Sequence, residues 1–361
     1  MDFNGVEVLV VGAGLSGLTV ARNLADAGRK VVVLEKRGEL GGLCAVEEDE
    51  ATGIEVHKYG THVLHSQDPR AIDFLKRYCI LNYYRHRVYS LVRGQVYRFP
   101  INLHTISQFF DGACFPGDWQ AVPRIASPQN FEDAAINEFG IDLYEAFIYG
   151  YTKKQWGVEP NELPVELLGR IRLRNSYETD YFTDPWQGLP IEGYQTLFKR
   201  LAHGLSLHLN VDYNEVRGLV GPETKVVYTG PLDAYFDYRF GRLPWRGVRL
   251  EMEGHATGNM LGMAVLNIPD LERPFTRMHE FRHLRPERIL ASRSRTIVAK
   301  EFSVADGEPA YPVQPEGEMA RAYRLEASKQ TNVFFCGRLG TYRYLNMDTA
   351  VVEALQLARA L

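Results

Sequence analysis

The chain has 361 residues, 45% of them hydrophobic and 24% charged, with a formal net charge of -4; at roughly 150 residues per domain it makes two or three domains and buries a large core without disulfide or metal staples. The acidic balance excludes a general nucleic-acid binder, which carries a basic excess. Only 10 of the 41 basic residues are lysine, a bias that a GC-rich genome explains as well as does a site built from planar guanidinium forks. Cys44, Cys79, Cys114 and Cys336 lie far apart with no C-x-x-C spacing, which predicts a reduced cytoplasmic protein. The start lacks the basic, apolar pattern of a signal peptide, and no run reaches the roughly 18 apolar residues of a membrane span, so no membrane partner is expected.

In chain order, Val6 to Val11 is β-rich and leads into Gly12-Ala13-Gly14-Leu15-Ser16-Gly17, then a helical pattern through Ala21, Leu24 and Ala25 to Gly28, then a strand from Val31 to Glu35. This is a strand, glycine turn, helix, strand unit with G-x-G-x-x-G spacing. Gly12 permits the turn, Gly14 lets backbone approach a pyrophosphate, and Gly17 lets helix and strand pack closely. The phosphate meets unpaired N–H groups at the positive end of the helix dipole. Glu35 follows Gly17 by eighteen residues, where a carboxylate accepts from both ribose hydroxyls and repels a 2'-phosphate. Lys36-Arg37-Gly38-Glu39-Leu40-Gly41-Gly42 then places a glycine pair just beyond the acid, a pattern similar to that of flavoproteins.

His57, His62 and His65 fall within nine residues, but no carboxylate or cysteine cluster accompanies them. They are expected to form a polar wall beside the cofactor, with no metal bound. Val88 to Val92 and Val96 to Phe99 alternate around Arg93-Gly94 as a hairpin, in a stretch that also carries Arg85, Arg87 and Arg98. From Phe131 to Gly150 the apolar spacing predicts helices interrupted near Gly140. Tyr151-Thr152-Lys153-Lys154-Gln155-Trp156-Gly157 sets two aromatics around cations. Arg170-Ile171-Arg172-Leu173-Arg174, if extended, puts three arginines on one face of an exposed edge. Val226 to Pro231 is an apolar strand ending at a turn, and several β-rich runs between 246 and 302 predict an antiparallel sheet. Asn332 to Arg338 is expected to be a buried strand, and Met347 to Leu361 a helix with Asn346 as N-cap.

The chain resembles UDP-galactopyranose mutase, a flavoprotein family, over nearly its full length. The matching blocks are Gly12 to Gly17, Gly53-Ile54-Glu55-Val56-His57-Lys58-Tyr59-Gly60 with His62 and His65, Leu143 to Phe147, Gly150 to Trp156, Val227 to Pro231, Tyr235 to Tyr238, Arg277 before His279-Glu280, Tyr311-Pro312, and Gly337-Arg338-Leu339 with Tyr342 and Tyr344. The resemblance implies an α/β fold. Its Rossmann-like FAD-binding domain is discontinuous in sequence (1–80, 188–240 and 330–361). A mainly helical domain (100–187) carries a mobile substrate loop, and 81–99 with 241–329 form an antiparallel sheet domain.

It also implies the site. Gly12, Gly14, Leu15, Ser16, Gly17, Glu35, Lys36, Gly42, Leu43, His62, Gly337, Arg338, Asn346 and Met347 would bind FAD. Phe147, Tyr151, Thr152, Trp156, Arg170, Tyr181, Asn267, Arg277, Tyr311 and Tyr344 would bind a nucleotide-diphosphate sugar, with Tyr151 and Trp156 at the base and Arg170 and Arg277 on the phosphates. His62, Arg170, Arg277, Tyr344 and Asn346 would take part in catalysis. The implied reaction interconverts UDP-galactopyranose and UDP-galactofuranose. FAD, reduced by NAD(P)H or another donor, attacks the anomeric carbon through N5 and the ring opens to an iminium. A homodimer is expected.

The sequence departs from the family where Asn346 replaces the usual aspartate and Asp348 the usual histidine. It departs again at 175–180, at Met260-Leu261-Gly262, and in a shortened stretch from Asp111 to Pro128. The nucleotide end is better kept than the sugar end. A different sugar (deoxy, amino or otherwise configured, dTDP- or GDP-linked) and an oxidoreductase of the amine-oxidase kind therefore stand as alternatives.

Overall fold

The computed structural model describes residues 3–112, 125–288, 290 and 292–361. Cys114 and most of the stretch from Asp111 to Pro128 lie outside them.

Val8–Val11 is the middle strand of a five-stranded parallel sheet ordered Val333–Phe335, Lys225–Tyr228, Val8–Val11, Val31–Glu35 and Ser206–Leu209. A parallel sheet is covered on both faces, so its central strands read as continuous apolar runs. Alternation sorts those residues: Val8 and Val10 join the core formed with Leu18, Leu24 and Val351, whereas Leu9 joins Tyr213, Tyr228, Leu232 and Tyr323 on the opposite face. Each such fully buried side chain contributes about 1.5–3 kcal/mol. Leu15–Asp26 packs on the sheet together with Tyr194–Ala202 and the last helix, Met347–Ala360. The strand expected to be buried after Asn332 is half-buried along Val333–Phe335, because it forms the sheet's edge.

A second sheet of seven strands runs Tyr311–Pro312, Trp245–His255, Thr296–Val304, Arg277–His279, Val265–Asn267, Val88–Val92, Gln95–Phe99. The expected hairpin turns at Arg93 (φ 50°) and Gly94 (φ 79°), the two positive φ values of a type I′ turn. The sheet is not wholly antiparallel as expected, since Val265–Asn267 pairs parallel with Val88–Val92. The hairpin enters from a point much earlier in the chain, and the long crossover between them, which passes through helices and two strands of the first sheet, sets its direction.

That crossover contains Phe131–Phe139, a turn at Gly140 (φ 73°), and a run through Ile141–Leu143, a π-turn over Tyr144–Tyr149 and the helix Gly150–Trp156. The interruption predicted near Gly140 is present. Of the three arginines expected to share a face, the two with described side chains diverge instead. Arg170 ends a 3₁₀ turn, and its side chain lies outside the described residues. Arg172 pairs with Glu138, and Arg174 donates to the Asp180 and Tyr181 carbonyls. Among the described residues no helix is long and apolar enough to cross a membrane.

Candidate functional site

The carboxyl ends of the parallel strands open into a cavity of about 860 Å³, the usual ligand position in such sheets. Gly17 shows why the glycine turn is needed: a Cβ there would come within 2.0 Å of the Gly12 carbonyl. Gly14 faces a second glycine pair, with Gly41 N–H donating to the Ala13 carbonyl at 3.0 Å and Gly42 Cα at 3.5 Å from where a Gly14 Cβ would be. No side chain caps the first turn of Leu15–Asp26 and no acid lies in it, so its N–H groups and positive dipole end remain available to an anion. Glu35 is buried, its two carboxylate oxygens accepting from Ala13 N–H (2.8 Å) and Arg37 N–H (2.9 Å). Each oxygen keeps a further lone pair, enough to accept from a ribose.

All fourteen residues expected to hold the cofactor line this one cavity: Gly12, Gly14, Leu15, Ser16, Gly17, Glu35, Lys36, Gly42, Leu43, His62, Gly337, Arg338, Asn346 and Met347. Arg338 is fixed by donating to the Leu345 carbonyl from Nη2 (2.7 Å) and Nε (3.1 Å). His62 carries its proton on Nδ1, because the Gly60 carbonyl 2.8 Å away can only accept, which leaves Nε2 as an acceptor. Burial, and then the Arg338 charge, lower the His62 imidazole to about 4, so it is neutral at physiological pH. Asn346 occupies the N-cap position of the last helix as expected, but its side chain does not make the capping bond.

The three clustered histidines go separate ways. His57 accepts from the His62 backbone N–H (3.1 Å) and stacks on Phe281, whereas His65 pairs with Asp184 at 2.5 Å and stacks on Phe182. Among the described residues no cluster of metal-ligating side chains occurs.

The expected substrate residues do not all share one wall. Trp156 lines the cavity itself. Beside it, Tyr311 and Tyr344 stack at 5.4 Å, with Arg338 lying 5.4 and 4.7 Å from their ring centres. Arg277 donates to the Tyr151 hydroxyl and lies opposite Asn267 in the strand register. Desolvation and Tyr344 raise the pKa of the Tyr311 hydroxyl, and Arg338 and Arg277 offset part of that rise. Tyr181 packs edge-on against His86 and Phe182, and Thr152 is buried in the helix that bears Tyr151. Phe147 is not at the cavity wall: it is buried edge-to-face against Tyr97 and Phe109 and packs the core.

One set of residues escaped the sequence reading. Glu301 is buried, accepts from His279 Nε2 at 2.8 Å and lies 3.5 Å from Arg277 Nε; Thr61 Oγ1 lies 2.8 Å from His279 Nδ1. Burial alone would raise the Glu301 carboxyl, but Arg277 and His279 hold it down at about 2. The chain of contacts Thr61–His279–Glu301–Arg277 thus joins the His62 segment to Tyr151. A lone glutamate in the apolar strand Thr296–Val304 was the available signal.

A parallel sheet with a glycine-turn cleft, abutted by a second sheet carrying arginine and tyrosine, defines a Rossmann-type dinucleotide-binding protein with an added polar site. Residues 10–78 match the NAD(P)-binding Rossmann-like domain, and residues 146–344 match UDP-galactopyranose mutase. The chain is 38% identical to a probable UDP-galactopyranose mutase of Klebsiella pneumoniae, over 98% of this chain and 94% of that one. It is 36% identical to a dTDP-fucopyranose mutase of Escherichia coli, over 98% and 97%. A crystal structure of reduced UDP-galactopyranose mutase shares the fold with a TM-score of 0.81 at 16% identity, covering 98% of this chain and 94% of that one. The chain belongs to the UDP-galactopyranose mutase family and is an isomerase.

Proposed function

We propose that the protein interconverts the pyranose and furanose forms of a nucleotide sugar, using FAD held in the Rossmann cleft. The observation that carries this is the single cavity running from Glu35 and the glycine turn to His62, Arg338 and Trp156, with Tyr311 and Tyr344 against Arg338. FAD suits the residues present: uncapped N–H groups for the pyrophosphate, Glu35 for the ribose, and two facing glycine segments that leave room for backbone contact. Reduced flavin bound there supplies a nucleophilic nitrogen at no net redox cost.

The chain's own groups do the rest. Arg277, oriented by Tyr151 and Glu301, takes the diphosphate, and the family resemblance assigns Arg170 to it as well. Trp156 and Tyr151 hold the base. Neutral His62 presents Nε2 as an acceptor, and Arg338 fixes positive charge where the departing diphosphate carries negative charge. Keeping that diphosphate bound makes its return to the sugar intramolecular.

UDP-galactose is the first substrate in this reading. The similar identities to a UDP-galactopyranose mutase and a dTDP-fucopyranose mutase, 38% and 36%, favour a dTDP-deoxysugar as the second. The test is incubation of the FAD-loaded, reduced protein with UDP-galactose, dTDP-fucose and GDP-sugars, followed by NMR for a furanose anomeric signal. A furanose product from one of them is expected; none from any, with FAD bound, overturns the proposal.

A further inference from the structure

Lys153 and Lys154 are adjacent on the helix Gly150–Trp156, yet their surroundings differ. Lys153 makes an ordinary surface pair with Glu159 at 2.5 Å. Lys154 Nζ sits instead among four backbone carbonyls, those of Ile268 (2.6 Å), Asp270 (2.6 Å), Arg273 (2.9 Å) and Phe275 (2.8 Å). All four belong to the connection between strands Val265–Asn267 and Arg277–His279, which ends in the pair Asn267–Arg277. An ammonium ion has three donors and no acceptor, so it gathers inward-pointing carbonyls as a small cation would. Burial lowers its pKa to about 8 despite the nearby Asp270.

The same helix face meets that connection once more and also meets the strand that follows it. A Cβ on Gly150 would meet the Pro269 carbonyl at 2.1 Å, and the Tyr151 hydroxyl accepts from Arg277. Positions 150, 151 and 154 share a face by helical spacing. This face is therefore fastened to the strand connection at both ends, while Trp156, beyond it, lines the cavity.

We propose that Lys154 is a positioning residue that sets the distance between the base platform, Tyr151 and Trp156, and the phosphate arginine, Arg277. This rests on the nucleotide-sugar reading above. A ligand that spans both elements gains from their fixed spacing, because binding one end raises the effective concentration of the other. A ligand that touches only one end does not.

The experiment uses the full-length, FAD-loaded protein and titration calorimetry with three kinds of probe. These are UDP, dTDP or GDP, whichever the native protein binds most tightly; the matching nucleoside; and inorganic pyrophosphate. In Lys154→Met, the nucleoside diphosphate is expected to bind about tenfold or more weakly. The nucleoside and pyrophosphate should each stay within about twofold, since neither spans the two elements. If Lys154→Met fails to fold, Lys154→Gln, which keeps a donor but loses the charge, takes its place with the same expectation. Equal weakening of all three probes, or an unchanged diphosphate affinity, overturns the positioning role. If the native protein binds none of UDP, dTDP and GDP, the nucleotide-sugar reading fails and Lys154 loses this role with it.

Discussion

Arg277 is caught between Glu301, which neutralises it at 3.5 Å, and Tyr151, whose hydroxyl it donates to. Such partners orient a guanidinium while leaving other donors for an anion. Arg277→Ala is expected to weaken binding of the nucleoside diphosphate about tenfold or more, the loss of one charge-assisted contact. The FAD absorption spectrum should not change, which separates loss of the clamp from loss of the fold. Titration follows from the same surroundings. His62 is lowered to about 4 and His86 to about 3, mainly by burial. A histidine whose pKa is depressed on folding contributes stability that is complete above its unfolded value of about 6.5 and is lost as pH falls toward the folded value. Glu301, held at about 2, contributes stability that is lost below the usual carboxylate range. The urea midpoint should therefore decline between pH 6.5 and 4 and again below about 4.5. His86→Phe, which retains the stack on Phe182, should make the first decline shallower and leave the part due to His62. A first decline as steep as in the native protein would remove His86 as its source.

Among the elements, those with local signals were legible in the sequence. The hairpin Val88–Phe99 announced itself by alternation and the Arg93-Gly94 turn, and the opening strand, turn and helix by glycine spacing. The parallel pairing of Val265–Asn267 with Val88–Val92 was not, because pairing direction is set by where the crossover returns the chain. Nor was the divergence of Arg172 and Arg174, since Glu138 and the 180–181 carbonyls that claim them are supplied by tertiary contact. The glycine turn gives the prediction at this scale. Gly17→Val would drive a side chain into the Gly12 carbonyl, displacing the helix start that faces the cavity. The protein should purify without FAD while the second sheet stays folded, checked by cofactor stoichiometry and circular dichroism. Full FAD occupancy in this variant would contradict the placing of the pyrophosphate at that turn.

At the scale of the molecule, the candidate site is assembled from segments hundreds of residues apart: the first strand, the His62 segment, the helix Gly150–Trp156, the second sheet and the start of the last helix. The sequence motifs marked fourteen of the residues that line the cavity, all at the glycine-turn end or beside His62 and Arg338, and Trp156. They did not mark Thr61 and Glu301, whose importance arises only when two strands and a loop bring them beside His279. Phe147, a motif residue, is buried in the core against Tyr97 and Phe109. The reaction proposed above needs reduced flavin yet consumes no electrons. The most direct measurement compares oxidised and dithionite-reduced protein, each supplied with UDP-galactose and dTDP-fucose without oxygen. Furanose product from the reduced form alone, over many turnovers with no further reductant consumed, is the predicted result. Product from the oxidised form, or reductant consumed in proportion to product, would contradict it.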